Sequence, residues 1–202
     1  MEMAPVSETL RVAVEHHRAG RLKEAAELYE RIVRVDPHHA DAFHLLGVVA
    51  HQSGHFGRAA DCIRRAIETN NSFAPYHSNL GAAYRALGRL EEAIASYREA
   101  LVRDPDSPGV HYNLGNAFKD KGQFAEAVES YRRALSFDAR LADAWNNLGG
   151  ALRQLERFDE AETAHARALG IRPVFPEAHF ELAGVLRAQG RAVEAATHYT
   201  AH

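Results

Sequence analysis

A single period organises this sequence. Residues of similar character recur every 34 positions from residue 6 onward, without insertion or deletion. The repeats start at Val6, Ala40, Ala74, Pro108, Ala142 and Pro176. A period of about 20 to 50 residues is typical of arrays in which each unit buries its apolar face against its neighbours. We therefore expect one elongated domain over residues 1–202, with repeats at 6–39, 40–73, 74–107, 108–141, 142–175 and a truncated 176–202.

Each repeat contains two amphipathic segments. In the fourth repeat the key residues of the first segment occur at i, i+3, i+4 and i+7, on one helical stripe: His111, Leu114, Gly115 and Phe118. The second segment has a similar stripe: Ala127, Tyr131 and Ala134. Small residues let two helices approach closely, while the aromatic residue fills the space beside them. The pattern predicts a helical hairpin in every repeat.

Glycine lies near the join of the two segments in five repeats, where a left-handed residue ends the first helix cheaply. These glycines are Gly20, Gly54, Gly88, Gly122 and Gly190. Glu156 takes the place in the fifth repeat, so that turn must form without glycine.

Two further columns run through the second segments. Alanine recurs at Ala25, Ala59, Ala93, Ala127, Ala161 and Ala195. Tyrosine recurs at Tyr29, Tyr97, Tyr131 and Tyr199, with Ile63 and His165 in the other two repeats. This pattern resembles the tetratricopeptide repeat (TPR) family over residues 6–202. The resemblance implies an all-α fold, a right-handed superhelical solenoid of antiparallel helix hairpins, whose concave groove binds an extended segment of another protein.

Composition restricts the function. The net charge of −3 gives no general attraction to nucleic acid or to an anionic membrane. No apolar run approaches the length of a membrane span, and residues 1–20 lack the pattern of a secretory signal. We expect a cytoplasmic protein that binds neither nucleic acid nor membrane.

The sequence offers no candidate active site. Cys62 lies beside the apolar column of a second helix, which favours a buried or partly buried thiol over a catalytic one. The 13 histidines include neighbours at i, i+4, His51 and His55, but Gly54 breaks the helix between them. No nucleophile with a base and no phosphate-binding loop is present. We predict no catalytic residue, no metal and no cofactor.

Polar residues form two rows on the predicted inner surface of the first helices. A basic column follows the packed aromatic position at Arg85, Lys119, Arg153 and Arg187, with His17 and His51 in the first two repeats. An asparagine row precedes the leucines at Asn79, Asn113 and Asn147. The same face should include Tyr112, Asn116, Asn146 and Phe180.

These rows have two interpretations. Asparagine amides can hold the backbone of an extended peptide, and the cations would favour an acidic or phosphorylated segment. Alternatively, the asparagines stabilise loops or neighbouring helices, and the cations are solvated residues near the negative C-terminal ends of helix dipoles.

The third to fifth repeats suggest a narrower resemblance. The segments YHSNLGAAYRALGRLEEAIASYREAL and VHYNLGNAFKDKGQFAEAVESYRRAL resemble the TPR arrays of O-linked N-acetylglucosamine transferases and their bacterial SPINDLY-like relatives. This implies an asparagine ladder made here by Asn79, Asn113 and Asn147. The chain has no segment for a nucleotide-sugar domain. The functional alternatives are a scaffold or adaptor, and the substrate-recruiting array of a larger transferase.

The last repeat ends partway through its second segment. Val193, Ala196 and Tyr199 would expose an apolar edge there. We expect either that the chain is a fragment of a longer protein or that another subunit covers this edge by self-association.

Overall fold

The computed structural model describes the backbone of residues 5–199 and the side chains of residues 5–198, and all regular secondary structure in this range is α-helical. The helices are α1 Val6–Arg18, α2 Leu22–Val35, α3 Ala40–Gln52, α4 Phe56–Thr69, α5 Ala74–Ala86, α6 Leu90–Arg103, α7 Pro108–Asp120, α8 Phe124–Phe137, α9 Ala142–Gln154, α10 Phe158–Ile171, α11 Pro176–Ala188 and α12 Ala192–Tyr199. The odd-numbered helices begin at the first residues of the six repeats. Each packs against the next even-numbered helix as a hairpin, so the predicted all-α hairpin fold is confirmed.

The chain divides into two compact units, Met1–Pro105 and Asp106–His202. We call them the N-terminal and the C-terminal unit; they contain α1–α6 and α7–α12. That residues 1–202 form one domain stays a prediction.

Within each unit the second helix of one hairpin packs on the first helix of the next. Contacts between helices of the same kind involve first helices: α3 with α5 in the N-terminal unit, and α7 with α9 and α9 with α11 in the C-terminal unit. First helices that approach one another in this way line the inner side of each unit. We call this side the first-helix face.

Close approach of the two helices within a hairpin depends on glycine. A Cβ placed on Gly115 would lie 2.6 Å from Tyr131 Cε1, and one on Gly81 would lie 2.7 Å from Tyr97 Cε1. Both tyrosine rings are fully buried. The prediction that an aromatic side chain fills the space beside a small residue is therefore confirmed.

The turn between the helices of each hairpin uses a left-handed residue. The five glycines of the turn column have φ between 72° and 79°. Glu156 adopts φ 58° and is the one non-glycine residue with positive φ in the described part of the chain. Its turn therefore keeps the glycine geometry at a steric cost of about 1–2 kcal/mol.

Three further expectations can be compared with the structure. Cys62 is half-buried, which agrees with the prediction of a buried or partly buried thiol, and burial raises the pKa of that thiol. No helix in the described range is long and apolar enough to cross a membrane. At the apolar edge, Val193 and Ala196 are exposed, whereas the Tyr199 side chain lies outside the described residues.

Candidate functional site

The three row asparagines occupy the sixth position of α5, α7 and α9, and all three are half-buried. Two of them join consecutive first helices. Asn79 Nδ2 donates to His44 Nε2 at 2.7 Å, and Asn147 Nδ2 donates to the Tyr112 hydroxyl at 3.1 Å; both bonds span 35 residues. The alternative in which asparagines stabilise neighbouring helices is therefore realised at Asn79 and Asn147.

His44 is neutral in this arrangement. An amide nitrogen can only donate, so His44 Nε2 must accept and carries no hydrogen. Burial lowers the pKa of His44 to about 4, opposed by the nearby Asp41 carboxylate. The bond from Asn79 and the burial of the ring therefore favour the same protonation state.

Asn147 is the centre of a larger network in the C-terminal unit. Its Nδ2 also donates to Asn116 Oδ1 at 3.0 Å, and its Oδ1 accepts from Lys119 Nζ at 3.3 Å. Asn116 Oδ1 in turn accepts from the Tyr131 hydroxyl at 2.8 Å. Both N–H groups of Asn147 are thus used within the protein, and the network ties α7, α8 and α9 together.

Asn116 corrects one prediction. We expected it on the peptide-binding surface, but it is only 5% exposed. Its amide accepts hydrogen bonds from the Tyr131 hydroxyl and from Asn147, which turns it toward the interior. Asn116 therefore supports the surface from below and does not offer its amide to a bound segment.

Asn113 differs from the other two row asparagines. Within the described residues its side chain forms no hydrogen bond, although it has the same position in its helix. Of the three, it has the whole amide available to a ligand. Whether any of them binds a peptide stays a prediction.

The basic column lies in the last turns of the first helices. Arg85, Lys119, Arg153 and Arg187 all occur there, where the negative end of the helix dipole favours a cation. Arg153 Nη2 lies 3.1 Å from a Glu181 carboxylate oxygen. Glu181 on α11 therefore offsets part of the positive charge of the basic column in the C-terminal unit.

A pocket of about 210 Å³ opens among α7, α9 and α11 in the C-terminal unit. Its lining residues are Lys119, Phe124, Asn146, Asn147, Gly150, Arg153, Gln154 and Glu181. Four of the predicted site residues thus converge on one cavity: Lys119, Asn146, Asn147 and Arg153. Phe180, the neighbour of Glu181 on α11, is 61% exposed.

Near the pocket, the fifth repeat differs from the fourth at two positions. Gly150 stands where the fourth repeat has Asn116, and His165 stands where it has Tyr131. The fifth repeat therefore lacks both the amide and the hydroxyl that form the Tyr131–Asn116 bond. Gly150, which has no side chain, is part of the pocket wall. No single column of the repeat predicts this space, because it depends on positions 150 and 165 together.

His165 is fully buried but incompletely bonded. Its Nδ1 donates to Asn146 Oδ1 at 3.0 Å, while its Nε2 has no partner among the described residues, and neither does the buried Nε of Arg153. Burial, with a smaller contribution from Arg153, lowers the pKa of His165 to about 4. The imidazole is therefore neutral at pH 7.

The described residues contain no group of three or more His, Cys, Asp or Glu side chains that could hold a metal ion. The pocket instead combines amide, ammonium, guanidinium and carboxylate groups with an apolar ring. These groups can form hydrogen bonds and ion pairs with a ligand.

Family models match the repeats along most of the chain. Models described as TPR repeat match residues 81–122 and 115–155. Models described as tetratricopeptide repeat match residues 13–75 and 157–202, and residues 141–172. The chain belongs to the tetratricopeptide repeat family.

Solved structures share the fold at low sequence identity. PilW, a type IV pilus biogenesis factor, is 19% identical, with a TM-score of 0.85 over 96% of this chain and 90% of that chain. Pseudomonas aeruginosa PilF is 18% identical, with a TM-score of 0.82 over 96% and 88%. YrrB, described as a TPR protein with an unusual peptide-binding site, is 19% identical, with a TM-score of 0.74 over 90% of each chain.

No curated protein matches this chain. The narrower resemblance to O-linked N-acetylglucosamine transferases and SPINDLY-like proteins has no support in these comparisons. Nothing among them indicates enzymatic activity, as is usual for TPR scaffolds.

Proposed function

We propose that this protein is an interaction scaffold that binds an extended polypeptide segment on the first-helix face of its C-terminal unit. The observation that carries the proposal is the polar pocket among α7, α9 and α11, where Asn146, Asn147, Lys119 and Arg153 meet. Membership of the TPR family supports an interaction role, and YrrB is a relative in fold described as having a peptide-binding site.

The face offers the contacts that an extended chain requires. Asn113 and Tyr112 are half-exposed and present an amide and a hydroxyl to a peptide backbone. Phe180 offers an exposed ring to an apolar side chain. Binding strength would come from many weak contacts, since a single exposed ion pair contributes about 0.2–1 kcal/mol.

The charges favour an acidic segment. Lys119, Arg153 and the exposed Arg187 provide three cations on the first-helix side of the unit, and Glu181 offsets one of them through its pair with Arg153. A carboxylate from the partner would compete with Glu181 for the Arg153 guanidinium. An acidic ligand must therefore bind Arg153 more strongly than Glu181 does in order to replace it.

The experiment is a selection from a peptide library on the full chain, followed by fluorescence anisotropy titration of the strongest binder. Asn113→Ala and Phe180→Ala should each weaken binding about three- to tenfold without loss of helicity, because neither removes a buried hydrogen bond. Arg133→Ala, an exposed cation on the second helix α8, is the matched control and should leave affinity unchanged. Equal losses in the control, or none in the two variants, would exclude this face as the binding surface.

The charge preference has a separate test. Glu181→Gln should strengthen binding of an acidic peptide by a few-fold and make the affinity more sensitive to salt, because Arg153 loses its internal partner. An unchanged affinity would show that the bound segment does not reach Arg153.

A further inference from the structure

The fourth residues of α5, α9 and α11 form the same bond. His77 Nε2, Trp145 Nε1 and His179 Nε2 lie 3.2, 3.0 and 3.1 Å from the carbonyl oxygen six residues earlier, at Asn71, Ala139 and Pro173 respectively. A carbonyl can only accept, so the ring nitrogen carries the hydrogen in each case. In a neutral His179 ring, this leaves a lone pair on Nδ1.

The last repeat places a second imidazole opposite that lone pair. The residue 19 positions later is Ser96 after His77 and Ala164 after Trp145, but it is His198 after His179. His198 Nδ1 lies 3.0 Å from His179 Nδ1, with the ring centroids 5.3 Å apart. Replacement of a small residue by histidine therefore brings two ring nitrogens of α11 and α12 to one point.

The 3.0 Å separation is that of a hydrogen bond between the two rings, and it also matches the separation of two neighbouring ligands on a metal ion. Two bonds of about 2.1 Å that meet at a right angle hold their nitrogens about 3.0 Å apart. Square-planar Cu²⁺ or Ni²⁺ has this angle, whereas tetrahedral Zn²⁺ needs a wider one. The bond from His179 Nε2 to the Pro173 carbonyl also fits, because a ligating histidine usually donates its other N–H to an acceptor that fixes the ring.

We propose that His179 and His198 form a two-ligand site for a divalent transition-metal ion of the Cu²⁺ or Ni²⁺ type. In the absence of metal, one Nδ1 donates to the other. The pocket of about 500 Å³ beside the pair, which Glu162 and Glu194 also line, gives room for water ligands. Both carboxylates pair with Arg191, so the proposed site has two protein ligands and keeps open positions on the ion.

Such a site would join the two helices of the last hairpin. His179 lies in α11 and His198 near the end of α12. A ligand that binds the folded state but not the unfolded state stabilises the folded state by RT ln(1 + [L]/Kd), which grows with the ligand concentration. Bound metal would therefore hold α12 against α11.

The experiment uses the full chain without a histidine tag. Titration with NiCl₂ and CuCl₂ at pH 7.5 is followed by calorimetry, and the melting temperature is measured with and without metal. His198→Ser introduces the residue that the third repeat has at this position. His179→Trp introduces the residue of the fifth repeat, which retains the N–H donor toward Pro173 and removes Nδ1. His77→Trp is the matched control in the third repeat.

We expect one equivalent of metal in the natural chain and in His77→Trp, with a higher melting temperature when metal is bound. His198→Ser and His179→Trp should each lose that equivalent and that rise. The electron paramagnetic resonance spectrum of the Cu²⁺ form should show coupling to two imidazole nitrogens. Binding that persists in both variants, or no one-equivalent binding in the natural chain, would overturn the proposal.

Discussion

The fourth and the fifth hairpins share a backbone plan but differ in how their interiors are satisfied. In the fourth hairpin the Tyr131 hydroxyl reaches Asn116, and the turn glycine, Gly122, adopts its left-handed conformation freely. In the fifth, His165 has an unbonded Nε2 and Glu156 is held at φ 58°. The fifth hairpin thus has steric and polar defects that the fourth lacks, and it also has Gly150 in the pocket wall.

This difference teaches how a repeat protein can acquire a specific site. Each repeat is built from the same contacts, so a binding pocket requires local departure from them. Here the departures remove an amide and a hydroxyl from the interior and leave polar side chains around the gap. These departures lower the stability of one hairpin, and such local destabilisation is common at functional sites.

The largest expected effect is a difference between the two hairpins in how the free energy of unfolding depends on pH. Because the pKa of buried His165 is lowered from 6.5 to about 4, the unfolded state binds its proton more strongly than the folded state. Stability is therefore full above pH 6.5 and is lost as the pH falls toward 4, by about 3 kcal/mol from this residue. In urea unfolding across this pH range, His165→Tyr should lose less free energy of unfolding than the natural chain. Conversely, Tyr131→His should lose more, because it places a second buried histidine in the protein. Parallel pH profiles for the natural chain and both variants would contradict this role of His165.

A second pair of substitutions tests the close approach within the fifth hairpin. A Cβ on Gly149 would lie 2.6 Å from His165 Nε2, whereas one on Gly150 has no atom within 4 Å. Gly149→Ala should destabilise the protein by about 1–3 kcal/mol through overpacking. Gly150→Ala should stabilise the helix by about 0.5–1 kcal/mol. Thermal unfolding of the two variants measures this difference. Equal changes in melting temperature would mean that the contact between Gly149 and the His165 ring does not limit how closely the helices pack.

A third test gives the fifth hairpin the two interior side chains of the fourth. The double variant Gly150→Asn with His165→Tyr should close the pocket with the pair found at Asn116 and Tyr131. Peptide affinity in the anisotropy titration should fall about tenfold, equal to about 1.4 kcal/mol, while stability is retained. Retained affinity in a stable double variant would show that the pocket is not used.

The smallest expected effect concerns the turn. Glu156→Gly should raise the free energy of unfolding by about 0.5–1 kcal/mol, because glycine adopts positive φ without the steric cost, though it gains more freedom on unfolding. Gly122→Ala in the fourth hairpin should lower it by a similar amount. Urea midpoints of the two variants should move in opposite directions, and a shared direction would argue against a strained turn.

Much of this fold follows from periodicity. The positions of glycine, alanine and tyrosine predicted the starts of the hairpins, the interlock of Gly115 with Tyr131 and the difficult turn at Glu156. Such features depend on one position at a time and on sterics, which a column of aligned residues shows directly.

The site was harder to predict because its features depend on pairs of positions in different helices. Asn116 has the chemistry of a groove residue, but the Tyr131 hydroxyl in the next helix turns it inward. His198 becomes a candidate ligand only because its Nδ1 lies close to His179 Nδ1. Side chains that meet across helices leave no signal in a single column.

The bond from Trp145 to the Ala139 carbonyl has a practical consequence. Trp145 is the only tryptophan of the chain, and its indole is fixed in the C-terminal unit at the junction of the fourth and fifth hairpins. Its fluorescence therefore reports on that unit alone, whereas far-ultraviolet circular dichroism sums the helices of both. Coincident unfolding curves from the two signals would identify a single cooperative transition, and separated curves would assign a stability to each unit within one unlabelled sample.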